Sequence, residues 1–566
     1  MTVIATAGHV DHGKSSLIRA LTGIEPDRLE EEQRRGMTID LGFAFVETPT
    51  GTTLSFIDVP GHTDFIRTMI SGVSGVNVAL LVIDVGEGWK PQTEEHLGIL
   101  EVLGITHGVV ALTKCDRVDE TIINACLANV KSRIAHSSIQ WSAVICTSAH
   151  TGRGLKELLH ALADLTATIP ADARNRSPRL FIDRVFTIKG AGTVVTGTLD
   201  SSPLHKDDPL ILARNGDSIR VRSIQVHGQD VETCEVGSRC ALNVLGINTD
   251  GLSRGDALIA PSSWLTTNVF DARITTLKTL RTPLTHRGSF TLHIGSSYQS
   301  AQIRVIGAQE IAPGSQGRIR IRFDHSQPLV PGDQYLLRDT STNTTIGGGV
   351  ILDIAPMSRI SHANPDGSVE SILQGRGIIP VVEAQMLTGV PLNPTFGHWF
   401  ASPEVVRDAV QKLELRLHEV SVLSLSELLQ YERELLSLIP QAIVDGDVVR
   451  LNNSDPLSSH PLLQQILEWG LTGPSTKIFD RNIMRQLIQR GWVFEHDSIA
   501  FHVETLEAMR PTLQKLWNSS PEGFAVSQLR VSLGITRKHA VPLSECLDKV
   551  GLTRRVSDLR LPGTRW

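Results

Sequence analysis

The chain has 566 residues, 41% of them hydrophobic and 20% charged, with 54 Lys and Arg against 60 Asp and Glu for a net charge of −6. That balance describes an ordinary multidomain protein, roughly three to five domains by the usual domain size, and argues against a generic nucleic-acid coat. No apolar run reaches membrane-span length and the N-terminus lacks a secretory pattern. The six cysteines form no C-x-x-C pair, which argues against a zinc site or disulfide framework, so a reduced, cytoplasmic setting is expected.

The first element is the short apolar run Thr2–Thr6, followed at once by Gly8-His9-Val10-Asp11-His12-Gly13-Lys14-Ser15-Ser16. This fits G-x-x-x-x-G-K-[ST], a phosphate-cradling loop between a strand and a helix. Gly8 and Gly13 let successive N–H groups turn inward toward phosphate oxygens. Lys14 supplies positive charge to the β- and γ-phosphates, and Ser15 offers a hydroxyl to Mg²⁺. The run from Leu17 to Leu21 reads as a helix whose N-terminus favours the anion.

Further continuous apolar runs at 53–58, 79–84 and 108–113 suit strands buried on both faces of a parallel sheet. Helical patterns around Thr93–Leu103 and Leu155–Leu165 alternate with them, which predicts a doubly wound α/β domain. The strand ends carry the chemistry. Asp58, followed by Pro60 and Gly61, suits an acid that steadies Mg²⁺ through water, with Gly61 free to turn toward the γ-phosphate. Asp116 in Thr113-Lys114-Cys115-Asp116 can accept two hydrogen bonds from the guanine edge, which adenine lacks. The stem of Lys114 suits the base face, and Ser148 and Ala149 lie where a backbone N–H reaches guanine O6. Thr38, between the loop and Asp58, suits a residue that closes over Mg²⁺ only beside a γ-phosphate. The domain is therefore read as one that binds and hydrolyses GTP.

Gly8–Ser15, Arg35-Gly36-Met37-Thr38-Ile39-Asp40, Asp58-Val59-Pro60-Gly61-His62 and Gln92-Thr93-Glu94-Glu95-His96 together resemble the translational GTPases. The resemblance implies that His62 orients the attacking water, with Val10 and Met37 as the apolar gate that restrains it before ribosome contact. Most of that family begins the guanine motif with Asn; here Thr113 replaces it, which leaves one guanine or loop contact open.

After a Pro-, Asp- and Arg-rich linker at 170–178, short alternating runs with frequent Gly predict two small β-barrels. Lys189–Gly197 resembles the second-domain signature of elongation factors that carry aminoacyl-tRNA, and Leu337-Arg338-Asp339 with Thr345–Val350 resembles their third domain. Within that group the sequence is most similar to the selenocysteine-specific elongation factors, through Ile39–Phe43 and the Thr-Lys-x-Asp form of the guanine motif. That likeness implies an aminoacyl pocket formed by Phe43, Asp183, Arg184 and Arg239. A selenol is an anion at neutral pH, so two guanidinium groups favour it over neutral serine.

From 358 onward the pattern is mostly helical, with segments at 405–417, 423–438, 461–468, 483–490, 505–517 and 541–550. Strand-like pairs follow several of them, which predicts tandem winged-helix modules. Residues 505–566 hold ten Lys or Arg against five Asp or Glu, a local +5 while the rest of the chain carries −11. Such a basic end suits a polyanion. Arg537 and Lys538 at a helix start, and Arg554 and Arg555 at a wing, are the expected RNA-binding residues. The resemblance extends here and implies an mRNA hairpin beside a recoded UGA codon, read through shape and loop bases.

The expected architecture is a P-loop GTPase domain of doubly wound α/β type at 1–172, β-barrels at 173–265 and 266–357, and a winged-helix arm at 358–566 whose last module begins near 505. The expected cofactors are GTP and Mg²⁺. The expected partners of this GTPase, a monomer with no membrane association, are selenocysteinyl-tRNA, the mRNA hairpin and the ribosome.

Overall fold

A computed structural model describes residues 2–27, 32, 34, 38–48, 51–61, 69, 76, 78–169, 176–190, 192–420, 422–451, 457 and 460–566. The chain divides into two compact units, Met1–Asp408 and Ala409–Trp566.

In the first unit, strands β1 (Thr2–Ala7), β2 (Gly42–Glu47), β3 (Thr53–Asp58), β4 (Val78–Asp84), β5 (His107–Thr113) and β6 (Gln140–Cys146) form one sheet in the order β2-β3-β1-β4-β5-β6. Only β2 pairs antiparallel; the others are joined by parallel ladders. The period of two sorts the side chains onto opposite faces. Val3, Ala5, Leu81, Ile83, Val110 and Leu112 enter one core, and Ile4, Leu80, Val82, Val109 and Ala111 enter the other. Every residue of β4 is buried, as a strand covered on both sides requires. Helices α1 (Lys14–Thr22), α2 (Pro91–Val102), α3 (Glu120–Ile134) and α4 (Leu155–Thr168) supply the covers. The arrangement leaves the loops after β1, β3, β5 and β6 at the C-terminal ends of the parallel strands, where such sheets carry their ligands.

Beyond the sheet come β7 (Arg179–Ile188), β8 (Gly192–Asp200), β9 (Leu204–His205), β10 (Pro209–Leu212), β11 (Ser218–Val226), β12 (Gln229–Val231), β13 (Thr233–Cys234), β14 (Arg239–Leu245) and β15 (Ala257–Ile259). The order β10-β15-β7-β8-β14-β11 closes on itself because β11 also pairs with β10. A second closed barrel follows from β16 (Thr266–Thr276), β17 (Phe290–Ile294), β18 (Ser297–Ile306), β19 (Gln316–Pro328), β20 (Gln334–Asp339) and β21 (Thr345–Asp353), in the order β16-β19-β18-β17-β20-β21.

Both barrels are docked by specific side chains. Leu277 and Leu336 of the second barrel belong to the same core as α2 residues Leu97 and Leu100, and the Thr345 hydroxyl donates to Glu95 at 3.3 Å. In the first barrel, His227 stacks on Phe45 with ring centroids 4.1 Å apart and its Nε2 lies 3.2 Å from the Ser55 hydroxyl. Arg179, 4% exposed, ties the barrels together through Asp200 and Asp333 and donates to the Pro328 carbonyl at 2.8 Å. A guanidinium that far from water persists only because acids and a carbonyl replace its hydration.

The helix Val369–Leu373, beginning just past residue 358, and the helix Val381–Thr388 also belong to this unit. Ile372 and Leu387 lie in the core of the second barrel. The second unit contains the helices Pro461–Trp469, Arg481–Gln489, Val503–Glu507, Arg510–Ser519, Val526–Leu533 and Arg537–Lys549, with the hairpins 442–451, 493–502 and 553–562. Two helices expected from periodicity resolve differently. The 423–438 stretch opens as a strand, Leu423–Ser424, paired with Val448 and Val449, and its α-helix is only Gln430–Leu435. The 505–517 stretch is broken into two helices around Pro511, which cannot donate to the preceding turn.

Among the described residues no helix is long and apolar enough to cross a membrane.

Candidate functional site

The Gly8–Ser16 loop turns between β1 and α1 with Gly8 at φ 137°, where an added Cβ would strike the Val82 carbonyl. Only glycine fits there. Helix α2 supplies acceptors to the loop: the Gly8 N–H donates to His96 Nδ1 and the Val10 N–H to Gln92 Oε1, both at 3.1 Å, and His9 Nδ1 contacts the same Gln92 oxygen. Burial, with Lys14 and His9 nearby, pushes the His96 imidazole down to about 3, so it is a neutral acceptor. His12, also buried, is pushed down to about 4 by burial and the adjacent His9. Lys14 is 6% exposed and its Nζ donates to the Gly8 and His9 carbonyls at 3.3 and 2.9 Å. Burial lowers its pKa against the opposing pull of Asp58. Gly61 lies so close that a Cβ there would stand 2.5 Å from Lys14 Nζ.

Four side chains bring oxygens together beside Lys14. The Thr38 hydroxyl donates to Asp27 at 2.9 Å and lies 2.9 Å from the Ser15 hydroxyl and 3.5 Å from Asp58 Oδ2. Asp58 is fully buried, accepts from the Thr6 hydroxyl at 2.8 Å, and is pushed up to about 6 by burial. Burial raises Asp27 as well. Two carboxyls held above their ordinary range, with two hydroxyls and no nitrogen or sulfur, make an all-oxygen donor set of the kind a small hard dication takes. Ser16, next in α1, is exposed.

The far end of the sheet answers the question of Thr113. Its hydroxyl donates to the His12 carbonyl at 2.6 Å, which ties the end of β5 to the loop. Lys114, at φ 58°, pairs with Asp84 at 2.7 Å and donates to the Asp11 carbonyl at 2.6 Å, which stretches its stem along the loop. Asp116 is exposed, and the Ser148 hydroxyl holds its carboxyl below the usual range. Ser148 is buried and its Oγ accepts from the Thr151 N–H, with Ala149 exposed beside it. His62 and Met37 lie outside the described residues.

Phe43, Asp183, Arg184 and Arg239 do converge. The Arg239 guanidinium lies 3.6 Å over the Phe43 ring and makes two bonds to Asp183, at 2.8 and 3.1 Å. Arg184 lies 5.6 Å from the same ring, donates to the Leu41 carbonyl at 2.8 Å, and pairs with Asp40 at 2.7 Å. Stacking on an aromatic face suits a weakly hydrated guanidinium.

In the second unit, Arg537 and Lys538 line a cavity of about 660 Å³ together with Lys477, His539 and the Asp497–Ser498 turn. Arg554 and Arg555 are not part of its lining. Arg554 donates to the Pro562 carbonyl across its hairpin, and Arg555 is drawn to Glu545 and Asp558 at 3.6 and 3.8 Å.

Sequence reasoning missed Asp27, Glu32, Asp40 and Lys477 as site residues. Gln92 and His96 were visible only as part of a motif, without a role. The acceptor pattern Gln-x-x-x-His at helical spacing, with both residues on one face, was the available signal.

A model of the elongation factor Tu GTP-binding domain matches residues 1–168. Models of the selenocysteine-specific elongation factor β-barrel domain and of the elongation factor SelB winged helix match 271–358 and 515–561. A selenocysteine-specific elongation factor from Desulfomicrobium baculatum is 32% identical over 99% of this chain and 99% of its own. The chain belongs to that family. Its relative in Escherichia coli K12 is 38% identical over 68% of this chain and 64% of that protein. A crystal structure of bacterial selenocysteine-specific elongation factor EF-Sec superposes with a TM-score of 0.65, at 25% identity, over 99% of this chain and 100% of that one. The Methanococcus maripaludis SelB structure with the GTP analogue GppNHp gives a TM-score of 0.55 at 27% identity, covering 63% of this chain and 80% of that one. The protein is a translational GTPase with a GTP-binding domain, β-barrels and a C-terminal winged helix.

Proposed function

We propose that this GTPase, in its GTP form, delivers selenocysteinyl-tRNA to a ribosome at a recoded UGA codon while its C-terminal arm binds an mRNA hairpin. The observation that carries this reading is the pair of guanidinium groups, Arg184 and Arg239, meeting over Phe43. A selenolate entering there gains charge-assisted hydrogen bonds that a neutral serine hydroxyl cannot match.

The loop N–H groups and Lys14 hold the phosphates, which draws Lys14 away from the Gly8 and His9 carbonyls. Asp116 accepts from the guanine N1–H and N2–H₂ edge, and the N–H groups near Ser148 and Ala149 face guanine O6. Ser15 and Thr38 would hold Mg²⁺, with Asp58 steadying it through water; when bound, the ion would neutralise charge on the β- and γ-phosphates. Thr38 reaches the donor set from its own segment, so a γ-phosphate would steady that segment through the shared ion. His62 orients the attacking water, restrained by Val10 and Met37 until the ribosome is met. Arg537 and Lys538, with Arg554 and Arg555, contact the RNA backbone, and the cation-lined cavity supports that role.

The test is equilibrium binding of selenocysteinyl- and seryl-tRNA to the GTP-loaded full chain. Preference for selenocysteinyl-tRNA by 100-fold or more supports the reading; equal affinity overturns it.

A further inference from the structure

The segment Thr38–Phe43 is pinned at both ends. Thr38 reaches the Ser15–Asp58 donor set, and Phe43 lies beneath Arg239. Between them, the Ile39 and Asp40 N–H groups both donate to Glu32 Oε1 at 3.0 Å, and Glu32 is 3% exposed. Asp40 then turns its carboxylate onto Arg184 at 2.7 Å. It lies two positions from Thr38, with only Ile39 between them, at most about 7 Å of extended chain.

The two arginines of the pocket are held differently. Arg239 has a partner on its own barrel: Asp183 is 10% exposed, gives two bonds, and also accepts from the Thr196 hydroxyl. The Arg184 partner comes from the GTPase domain, and the pair is 37% and 33% exposed. An ion pair so open to water has little net worth and exchanges readily. The Arg239–Asp183 pair is the fixed wall of the pocket, and Arg184–Asp40 is the replaceable one.

We infer that Asp40 is an internal stand-in for the anionic side chain of the cargo. An incoming anion takes the Asp40 position on Arg184, and the released Asp40 frees its segment so that the Thr38 hydroxyl, which donates to Asp27, can turn to the metal and favour the GTP form. A neutral side chain has no charge to offer Arg184, leaves the Asp40 pair intact, and sends no signal. Occupancy of the pocket by the correct cargo is thereby linked to the metal-binding threonine. By reciprocity the nucleotide alters cargo affinity by the same factor. This rests on the cargo reading above, and it assigns Asp40 a positioning role that acts through Arg184.

The experiment uses the full chain with Asp40→Asn, Asp40→Glu and the parent. Affinities for selenocysteinyl- and seryl-tRNA are measured in the GTP and GDP forms, giving one GTP-to-GDP ratio per cargo. In the parent, the ratio is larger for selenocysteinyl-tRNA. Asp40→Asn should lower that ratio about tenfold, to the seryl value, while leaving the seryl ratio unchanged; Asp40→Glu should restore it. Unchanged ratios in Asp40→Asn overturn the proposal. So does an equal fall for both cargoes, which marks Asp40 as a structural support only. If the Asn variant fails to bind a GTP analogue, Asp40→Ser replaces it in the same measurement. Failure of the parent to prefer selenocysteinyl-tRNA is a separate result and removes the cargo reading itself.

Discussion

The loop at Gly8–Ser16 and the arginine pocket at Phe43 both depend on charge, and they hold it in opposite ways. Around the loop, Lys14, Asp58 and His96 are buried, and each has a pKa moved by the loss of water. At the pocket, Arg184 and Asp40 remain about a third exposed and keep one another company at the surface. A buried charge must be answered continuously, by a carbonyl, an acid or a ligand. A half-exposed one can trade partners at little cost. The first arrangement suits a site that must hold a highly charged ligand in one geometry. The second suits a site that must notice what has arrived.

The sharpest break of this contrast is Lys14→Ala. Removing one partner from a buried charge-assisted set typically costs about 2–5 kcal/mol, so affinity for a fluorescent GTP analogue should fall by about 30- to 3,000-fold. A loss below fivefold would mean that the buried end is less committed than its geometry indicates.

Next is Asp58, pushed up from 3.8 to about 6 by burial. Between those values the folded chain keeps a proton that the unfolded chain has released. Stability without nucleotide or metal therefore falls as pH rises from about 4 to about 6, and the cost is fully present at pH 7. Asp58→Asn should remove up to about 3 kcal/mol of that cost. It should thus raise the urea midpoint at pH 7.5 more than at pH 5, while weakening Mg²⁺-dependent nucleotide binding. An equal midpoint change at both pH values would contradict the assignment.

Arg239→Ala tests the exposed end. Losing its bonds and its stacking on Phe43 should reduce the preference for selenocysteinyl- over seryl-tRNA by roughly tenfold to a hundredfold, and undiminished preference would sink the pocket assignment. In the arm, Arg537→Ala should weaken binding of an RNA hairpin and lower the salt slope by about 1. Arg555→Ala should do less, because Glu545 and Asp558 already attract that side chain. The smallest expected effect lies at the buried end: Thr113→Val strips the hydroxyl from the His12 carbonyl and should cost about 1 kcal/mol in stability.

Much of this molecule is written locally. The Gly8–Ser16 pattern, the apolar run of β4 and the alternating barrel strands follow from residue spacing, because steric and hydrophobic rules act over a few neighbours. The same rules misjudged 423–438, where the apolar spacing suits a helix but pairing with Val448 and Val449 draws the first residues into a strand. They also gave no warning that Asp27 would join Ser15, Thr38 and Asp58, since a lone acid in a loop carries no periodicity.

The sequence alone named the nucleotide and the strand–loop–helix that receives it, and it picked out Phe43, Asp183, Arg184 and Arg239, which the fold brings together. Tertiary structure decided how those pieces are joined. It placed Gln92 and His96 against the loop N–H groups, Thr113 against the His12 carbonyl, and Asp40 against an arginine 144 positions away. Partners so distant in sequence meet only when separate cores have packed, because the free energy that brings them together comes from the burial of the cores rather than from the contacts themselves.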